Sequence, residues 1–293
     1  MKKGRDKLNE ILTAYFLLAP WLFIFFIFIV FSIGWAFYLS FTKYNLLSPP
    51  QWVGFKQYLT VLQNEDFIKH ALPNTLEYVA VVVPTQTVLS LIIAFAMDQK
   101  IKGRRLFRTI FYLPSVTSSV VISLIFLWLF SPTGIINQLL GLKVNWLLSP
   151  KTALPTIMMV NIWSTIGTMM LIFLAALQDI PYALYEAAEI DGASRFQIFR
   201  YVTIPSLRPT IFFVVTMGVI GCFQVFDQIY VMTKGGPLGA TTTISYLIYD
   251  WAFGGTNIRM GRAAAASFIL ALMIGVVTYI QKRFIDQPEE KGR

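Results

Sequence analysis

In a chain dominated by apolar side chains, a few polar groups stand at spacings that chemistry could use. Asn161, Ser164, Thr165 and Thr168 are separated by three, four and seven residues, which puts all four on one face of a helix. A carboxamide and three hydroxyls donate and accept hydrogen bonds without carrying charge, which suits reversible contact with a hydroxyl-rich solute. The same groups could equally bond one helix to another. A second cluster, Glu186, Glu189 and Asp191, precedes Gly192 in the longest polar segment between apolar runs. Carboxylates there suit a soluble protein partner, whereas anionic lipid headgroups would repel them. Cys222 is the one cysteine, so no intrachain disulfide forms, and the one histidine, His70, lies in a polar stretch with no metal-ligand cluster around it. Neither a Walker-type glycine loop nor a nucleophile–base set is present, so no catalytic residue is expected.

The elements that must position these groups are membrane helices. The chain has 293 residues, 56% hydrophobic and only 13% charged, against about 25% charged in a soluble domain. The net charge of +9 comes without any basic run interleaved with aromatics, which excludes a nucleic-acid track. The fold expected is all-α and polytopic, with six transmembrane helices. A cytoplasmic head (1–10) leads to a first helix and an extracytoplasmic loop (11–73). The uncharged run after the head is too long for a signal peptide, so it is read as a retained span that tilts or starts as a surface helix before Pro20. The following loop should hold one short amphipathic helix. A five-helix core (74–285) has spans near 74–97, 109–130, 153–177, 210–231 and 263–280, and a tail (286–293) ends the chain. Within the core, the segment 178–205 reads as a helix, a bend at Gly192 and a second short helix before Pro205.

Charge sets the orientation. With six spans, sixteen of the 24 Lys and Arg residues fall on the face that carries both termini, the Lys100–Arg108 turn and the Glu186 segment, against eight on the other. The positive-inside rule makes the first face cytoplasmic. Asp227, near the outer end of the fifth span, is read as the one ionisable side chain inside a span. An ion-coupled carrier or channel usually keeps charges at mid-membrane depth, and a membrane enzyme needs convergent catalytic groups. This chain displays neither, so its energy should come from a partner.

Glu186-Ala187-Ala188, then Gly192, then Val202-Thr203-Ile204-Pro205 resembles the EAA loop of ABC-importer permeases: Glu-Ala-Ala, three residues, Gly, nine residues, Ile-x-Leu-Pro. Val202 and Ile204 replace Ile and Leu. The fuller Glu-Ala-Ala-x-x-Asp-Gly-Ala form, the run from Phe226 to Pro237 and the Asn74-Thr75 pair are similar to the carbohydrate-uptake branch, which includes maltose and glycerol-phosphate importers. The resemblance implies that Glu186, Ala187, Ala188, Asp191 and Gly192 form coupling helices seated on a cytoplasmic ATPase, with ATP and Mg on that partner and no cofactor in this chain. It further implies a second permease subunit in a heterodimer, two ATPase subunits, an extracytoplasmic solute-binding protein and a sugar-like solute. The setting would be a bacterial or archaeal inner membrane. By register, Asn161 matches a sugar-contacting asparagine of the maltose importer, and Gly218, Gly221, Cys222 and Gln224 fall in the corresponding region of the fifth span. Gly235, Gly236 and Pro237 would lie in a flexible outer loop that meets the binding protein.

Overall fold

The computed structural model describes residues 2–99, 102–255 and 257–285; the tail 286–293 lies outside the described residues. The first helix runs without interruption from Lys2 and includes the apolar span α1 (Thr13–Ser40), with a π-helical stretch at Phe25–Val30 and no break at Pro20. Almost none of α1 is buried: Phe16, Phe28 and Trp21 are all exposed. Such a surface is stable only against lipid or another subunit.

A two-stranded hairpin, β1 (Thr42–Lys43) with β2 (Gln51–Trp52), follows in antiparallel register and was not anticipated from the sequence. The expected short helix is α2 (Lys56–Leu62). Then come α3 (Phe67–Asp98), α4 (Arg104–Val116), α5 (Ser119–Leu129), α6 (Ile135–Leu140) and α7 (Ala153–Gln178). Next are α8 (Tyr182–Ile190) and α9 (Arg195–Ile198), the latter continued by further helical turns to Ser206. The chain closes with α10 (Arg208–Phe223), α11 (Asp227–Met232), α12 (Ile244–Phe253) and α13 (Met260–Ile285). The loop expected between the last two spans therefore contains a helix, α12, capped where Thr243 Oγ1 accepts from the Tyr246 amide at 3.3 Å.

Two apolar clusters fix the directions of these helices. One joins the start of α3 (Phe67, Tyr78) to the start of α7 (Leu154, Ile157) and to Ala263 and Ala266 of α13. The other joins the end of α3 (Ala94, Met97) to the end of α7 (Phe173, Leu177) and to Leu207 and Val214 around the start of α10. Thus α3 and α7 run parallel, and the chain between them must cross back. That crossing is α4 plus α5, a single expected span that is bent by 98°. Pro114 removes one backbone donor, Thr117 is extended, and Ser118 starts the second half. With this pair, six crossings result, and the α8–α9 segment lies at the opposite end of the bundle from the β1–β2 hairpin.

Two further departures concern the spans themselves. The fifth is interrupted at residues 224–226, between α10 and α11, so Asp227 opens a short helix and is not embedded in a continuous one. Glu77 also lies within α3 and is exposed, so Asp227 is not alone among ionisable side chains in the spans.

Candidate functional site

The two helix breaks meet. Ser119, at the first turn of α5, donates its hydroxyl to Asp227 Oδ2 at the first turn of α11. Around this bond lies a cavity of about 220 Å³ lined by Ser119, Asn161, Gly221, Gln224, Val225, Phe226, Asp227 and Gln228. Asn161 comes from α7, eight residues into the helix, which at 1.5 Å per residue is about 12 Å from its end. Gln224 sits in the break itself, where the backbone has left the helix. The result is one apolar ring, Phe226, amid three carboxamides, a hydroxyl and a carboxylate. Such a set both accepts from and donates to hydroxyl groups.

Of the groups expected along the path, Asn161 and Gln224 line this cavity, as does Gly221. The others lie elsewhere. Thr165 donates to Gln86 Oε1 of α3 at 2.9 Å and to the Asn161 carbonyl at 2.9 Å. Ser164 is buried and bonds the Asn161 carbonyl, while its own carbonyl accepts from Ser115 of α4 at 2.7 Å. Thr168 is exposed, and its amide donates to Ser115 Oγ at 3.2 Å. A Cβ at Gly218 would lie 2.5 Å from Gln86 Nε2, so this glycine is a close contact between α10 and α3. Cys222 is buried in the core. The stripe therefore divides, with its N-terminal end at the cavity and Ser164 and Thr165 tied to neighbouring helices. Sequence reasoning gave no role to Ser119, Phe226 or Gln228. The signals were there: Ser118-Ser119 soon after Pro114, and polar residues at 224, 227 and 228 of a nominal span.

The Glu186 segment has the expected helix–bend–helix form. Gly192 takes φ +77°, which lets the chain turn, and Ser194 with Gln197 forms a reciprocal capping box that starts α9. Glu186 lies in the second turn of α8, not at its start. Glu186, Ala187, Asp191 and Gly192 are exposed, and Ala188 is half-buried. So are five large apolar side chains exposed: Tyr182, Leu184, Ile190 (86%), Phe196 (75%) and Tyr201. A patch of that kind is unfavourable in water and marks a contact surface.

At the other end, the Gly235–Gly236–Pro237 loop is braced, contrary to the flexibility expected. Asn74 Nδ2 donates to the carbonyls of Gly239 and Thr242 at 2.8 and 2.9 Å, and Thr241 and Thr242 hydroxyls bond Gly236 and Gly235 carbonyls. Gly235 (φ +80°) is buried against Tyr246, and Gly239 (φ +77°) sits on the His70 ring, so both approaches are to this chain itself. Leu238, 86% exposed, is the part that projects.

Residues 86–287 match the family model described as binding-protein-dependent transport system inner membrane component. The chain belongs to that family. It is a multi-pass permease subunit of ABC-type importers, and the family description itself names a binding protein as partner and the inner membrane as location. The permease is 32% identical over 284 residues to the trehalose/maltose transport system permease protein MalF of Thermococcus litoralis, covering 95% of this chain and 96% of that one. It is 34% identical to the multiple sugar-binding transport system permease protein MsmF of Streptococcus mutans, covering 94% and 96%. Its fold matches a chain in the crystal structure of a bacterial ABC transporter involved in import of the acidic polysaccharide alginate, with TM-score 0.85, 26% identity and coverage of 99% and 100%. A further match, with TM-score 0.80 and 26% identity, is to that transporter in complex with a periplasmic protein carrying an alginate pentasaccharide.

Proposed function

We propose that this permease forms one wall of the pathway for a sugar or sugar-like solute in an importer powered by ATP hydrolysis on separate subunits. The observation that carries the reading is the cavity at the two helix breaks, with carboxamides, a hydroxyl, a carboxylate and an aromatic ring converging where irregular backbone must be satisfied. Sugar hydroxyls use both donors and acceptors, and the apolar face of a sugar ring packs on an aromatic such as Phe226. At about 220 Å³ the cavity is smaller than the ~300–1,000 Å³ that encloses a drug-sized ligand. A second permease subunit, in a heterodimer, supplies the facing wall.

The exposed patch on α8 and α9 seats on an ATPase subunit, one of two, which bind the ATP and Mg. Glu186 and Asp191 offer carboxylates to that partner, Ala187 and Ala188 permit close approach, and Gly192 holds the bend. The charge asymmetry along the sequence supports reading this end, with both termini, as cytoplasmic. The Leu238 tip of the braced loop, held out by Gly235, Gly236 and Pro237, meets the extracytoplasmic solute-binding protein.

The test compares Asn161→Ala with Thr165→Ala in the assembled importer. Each loses hydrogen bonding worth about 0.5–1.5 kcal/mol, or roughly two- to tenfold. The first should lower transport per assembled complex and leave thermal stability nearly unchanged. The second should lower stability, because Gln86 Oε1 loses its Thr165 donor. Unchanged turnover in Asn161→Ala would remove the cavity from the solute path.

A further inference from the structure

A second cavity lies at the hairpin end, away from the cavity at the helix breaks, and its charge is one-sided. It has a volume of about 470 Å³, and its lining includes Lys43, Lys56, Arg259 and Arg262 but no Asp or Glu. Among the described residues, the ion pair found is Lys69–Glu65, so none of the four cations has a carboxylate partner within 4 Å. Asp250 is close enough to interact with Arg259 but does not line the cavity. The Arg262 Nε is buried and has no hydrogen-bond partner, with its guanidinium 5.4 Å from the Trp251 ring. Four like charges around one cavity with no carboxylate in its lining favour an anion there.

The walls are fixed by backbone. Antiparallel pairing aligns Lys43 with Gln51 on the cavity face of the hairpin. The Gly261 amide donates to the Tyr44 carbonyl at 3.3 Å, and a Cβ on Gly261 would lie 2.0 Å from the Thr42 carbonyl oxygen. The start of α13 is thereby pressed onto the hairpin. Gln57 Nε2 closes the third side through the Thr42 carbonyl at 3.0 Å.

Depth identifies the kind of anion. The cavity sits where α1 ends at Ser40 and α13 begins at Met260. Beside it, Trp35, Tyr38 and Trp52 follow one another at ring separations of 5.3 and 6.0 Å, all exposed. Exposed Trp and Tyr at span ends occupy the headgroup layer of a bilayer. The exposed apolar face of α1 leads up to the same level and offers a path for acyl chains.

We propose that this cavity is an oxyanion site for a phosphate group, presented at headgroup depth by an anionic phospholipid, with inorganic phosphate the soluble source of the same chemistry. Arg gives a planar fork for two phosphate oxygens and Lys a point charge.

The test uses the full transporter complex in nanodiscs of phosphatidylcholine with or without phosphatidylglycerol, reading retained phosphatidylglycerol by mass spectrometry after delipidating washes. Removing two charges with Lys43→Gln and Arg259→Gln should weaken retention about 30-fold, or about fivefold for each charge. The charge-keeping pair Lys43→Arg and Arg259→Lys should restore it, which separates lost charge from lost folding. Lys143→Gln with Lys151→Gln, two cations at the same end but outside the cavity, should change nothing. If inorganic phosphate stabilises the complex in phosphatidylcholine and the cavity variant abolishes that effect, the site stands with the soluble source. Equal phosphatidylglycerol retention in the cavity and control variants, without a cavity-dependent phosphate effect, overturns the proposal. So does a cavity variant whose only defect is weaker capture of the solute-binding protein.

Discussion

Gly167 is a position on α7 where the structure leaves no room for a side chain. It lies between the two tied groups of α7, Ser164 and Thr168, and faces α4 at backbone contact. A Cβ there would sit 2.2 Å from the Phe111 carbonyl oxygen, 2.8 Å from Tyr112 Cα and 2.7 Å from Ser115 Oγ. Two of those atoms are backbone, so no rotamer change relieves the clash. Restoring an ordinary contact of about 3.5 Å requires α4 to retreat by about 1 Å. Ser115 would then lose its bonds to the Ser164 carbonyl (2.7 Å) and from the Thr168 amide (3.2 Å). Overpacking of this kind costs about 1–3 kcal/mol, and each hydrogen bond adds about 1 kcal/mol. Because α5 follows α4 after only two residues, the shift also moves Ser119 away from Asp227 and opens the cavity wall. Gly167→Ala should therefore lower both the thermal midpoint of the purified complex and transport per complex. Gly275→Ala is the control, since nothing lies within 4 Å of a Cβ there and the helix gains up to about 1 kcal/mol in propensity. The two changes are chemically identical and should have opposite signs. A Gly167→Ala midpoint equal to or above that of Gly275→Ala would refute the packing argument.

Gly192→Val places a β-branched residue at φ +77°, a conformation that costs about 1–2 kcal/mol outside glycine. It should preserve membrane insertion while reducing substrate-stimulated ATP hydrolysis, and undiminished coupling would remove the bend from the mechanism. Single cysteines at Gln99 and Gln178 should be labelled from the cytoplasm and those at Gln63 and Leu238 from outside, with cytoplasmic labelling at Leu238 inverting the orientation. On α12, which is not a span, partial burial and nearby Asp66 raise the Asp250 carboxyl above its ordinary value, while Arg259 pulls it back. A raised carboxyl stabilises the fold below its unfolded value, near 4, and that contribution is lost as pH rises through the folded value. The midpoint of the native protein should therefore fall more steeply from pH 4 to 7 than that of Asp250→Asn, and parallel profiles would contradict the assignment.

Where the spans lie was legible in the sequence because it depends on local hydropathy, and the bend at Gly192 was legible because only glycine takes that backbone conformation readily. The division of the α7 stripe was not. Spacing puts Asn161, Ser164, Thr165 and Thr168 on one face, but which of them meets a neighbour depends on how α3 and α4 are placed around it. Gln86 and Ser115 decide that, and they are 79 and 49 residues away in sequence from the groups they bind. The hairpin and α12 were missed for a different reason. Both occur in stretches whose composition reads as loop, and they are fixed by single contacts such as the Thr243 cap and the Thr42–Trp52 pairing.

The two broken spans join these threads. A polar backbone freed from a helix is expensive in the apolar layer unless protein or water satisfies it. Here the break after Pro114 and the break at Gln224 are brought face to face, and the Ser119–Asp227 bond ties one to the other. Each interruption alone would be a weak point in a span. Together they produce one polar cavity, while farther along α7 the Thr165 hydroxyl and the Ser164 carbonyl are bonded to α3 and α4. Under the proposed function that separation explains how a membrane helix can carry a run of similar polar residues and yet present only its N-terminal end to a solute. It also predicts where specificity can change without cost to assembly. Under the proposed function Asn161 and Gln224 can be varied at the cavity, whereas replacing Thr165 leaves Gln86 Oε1 without its donor.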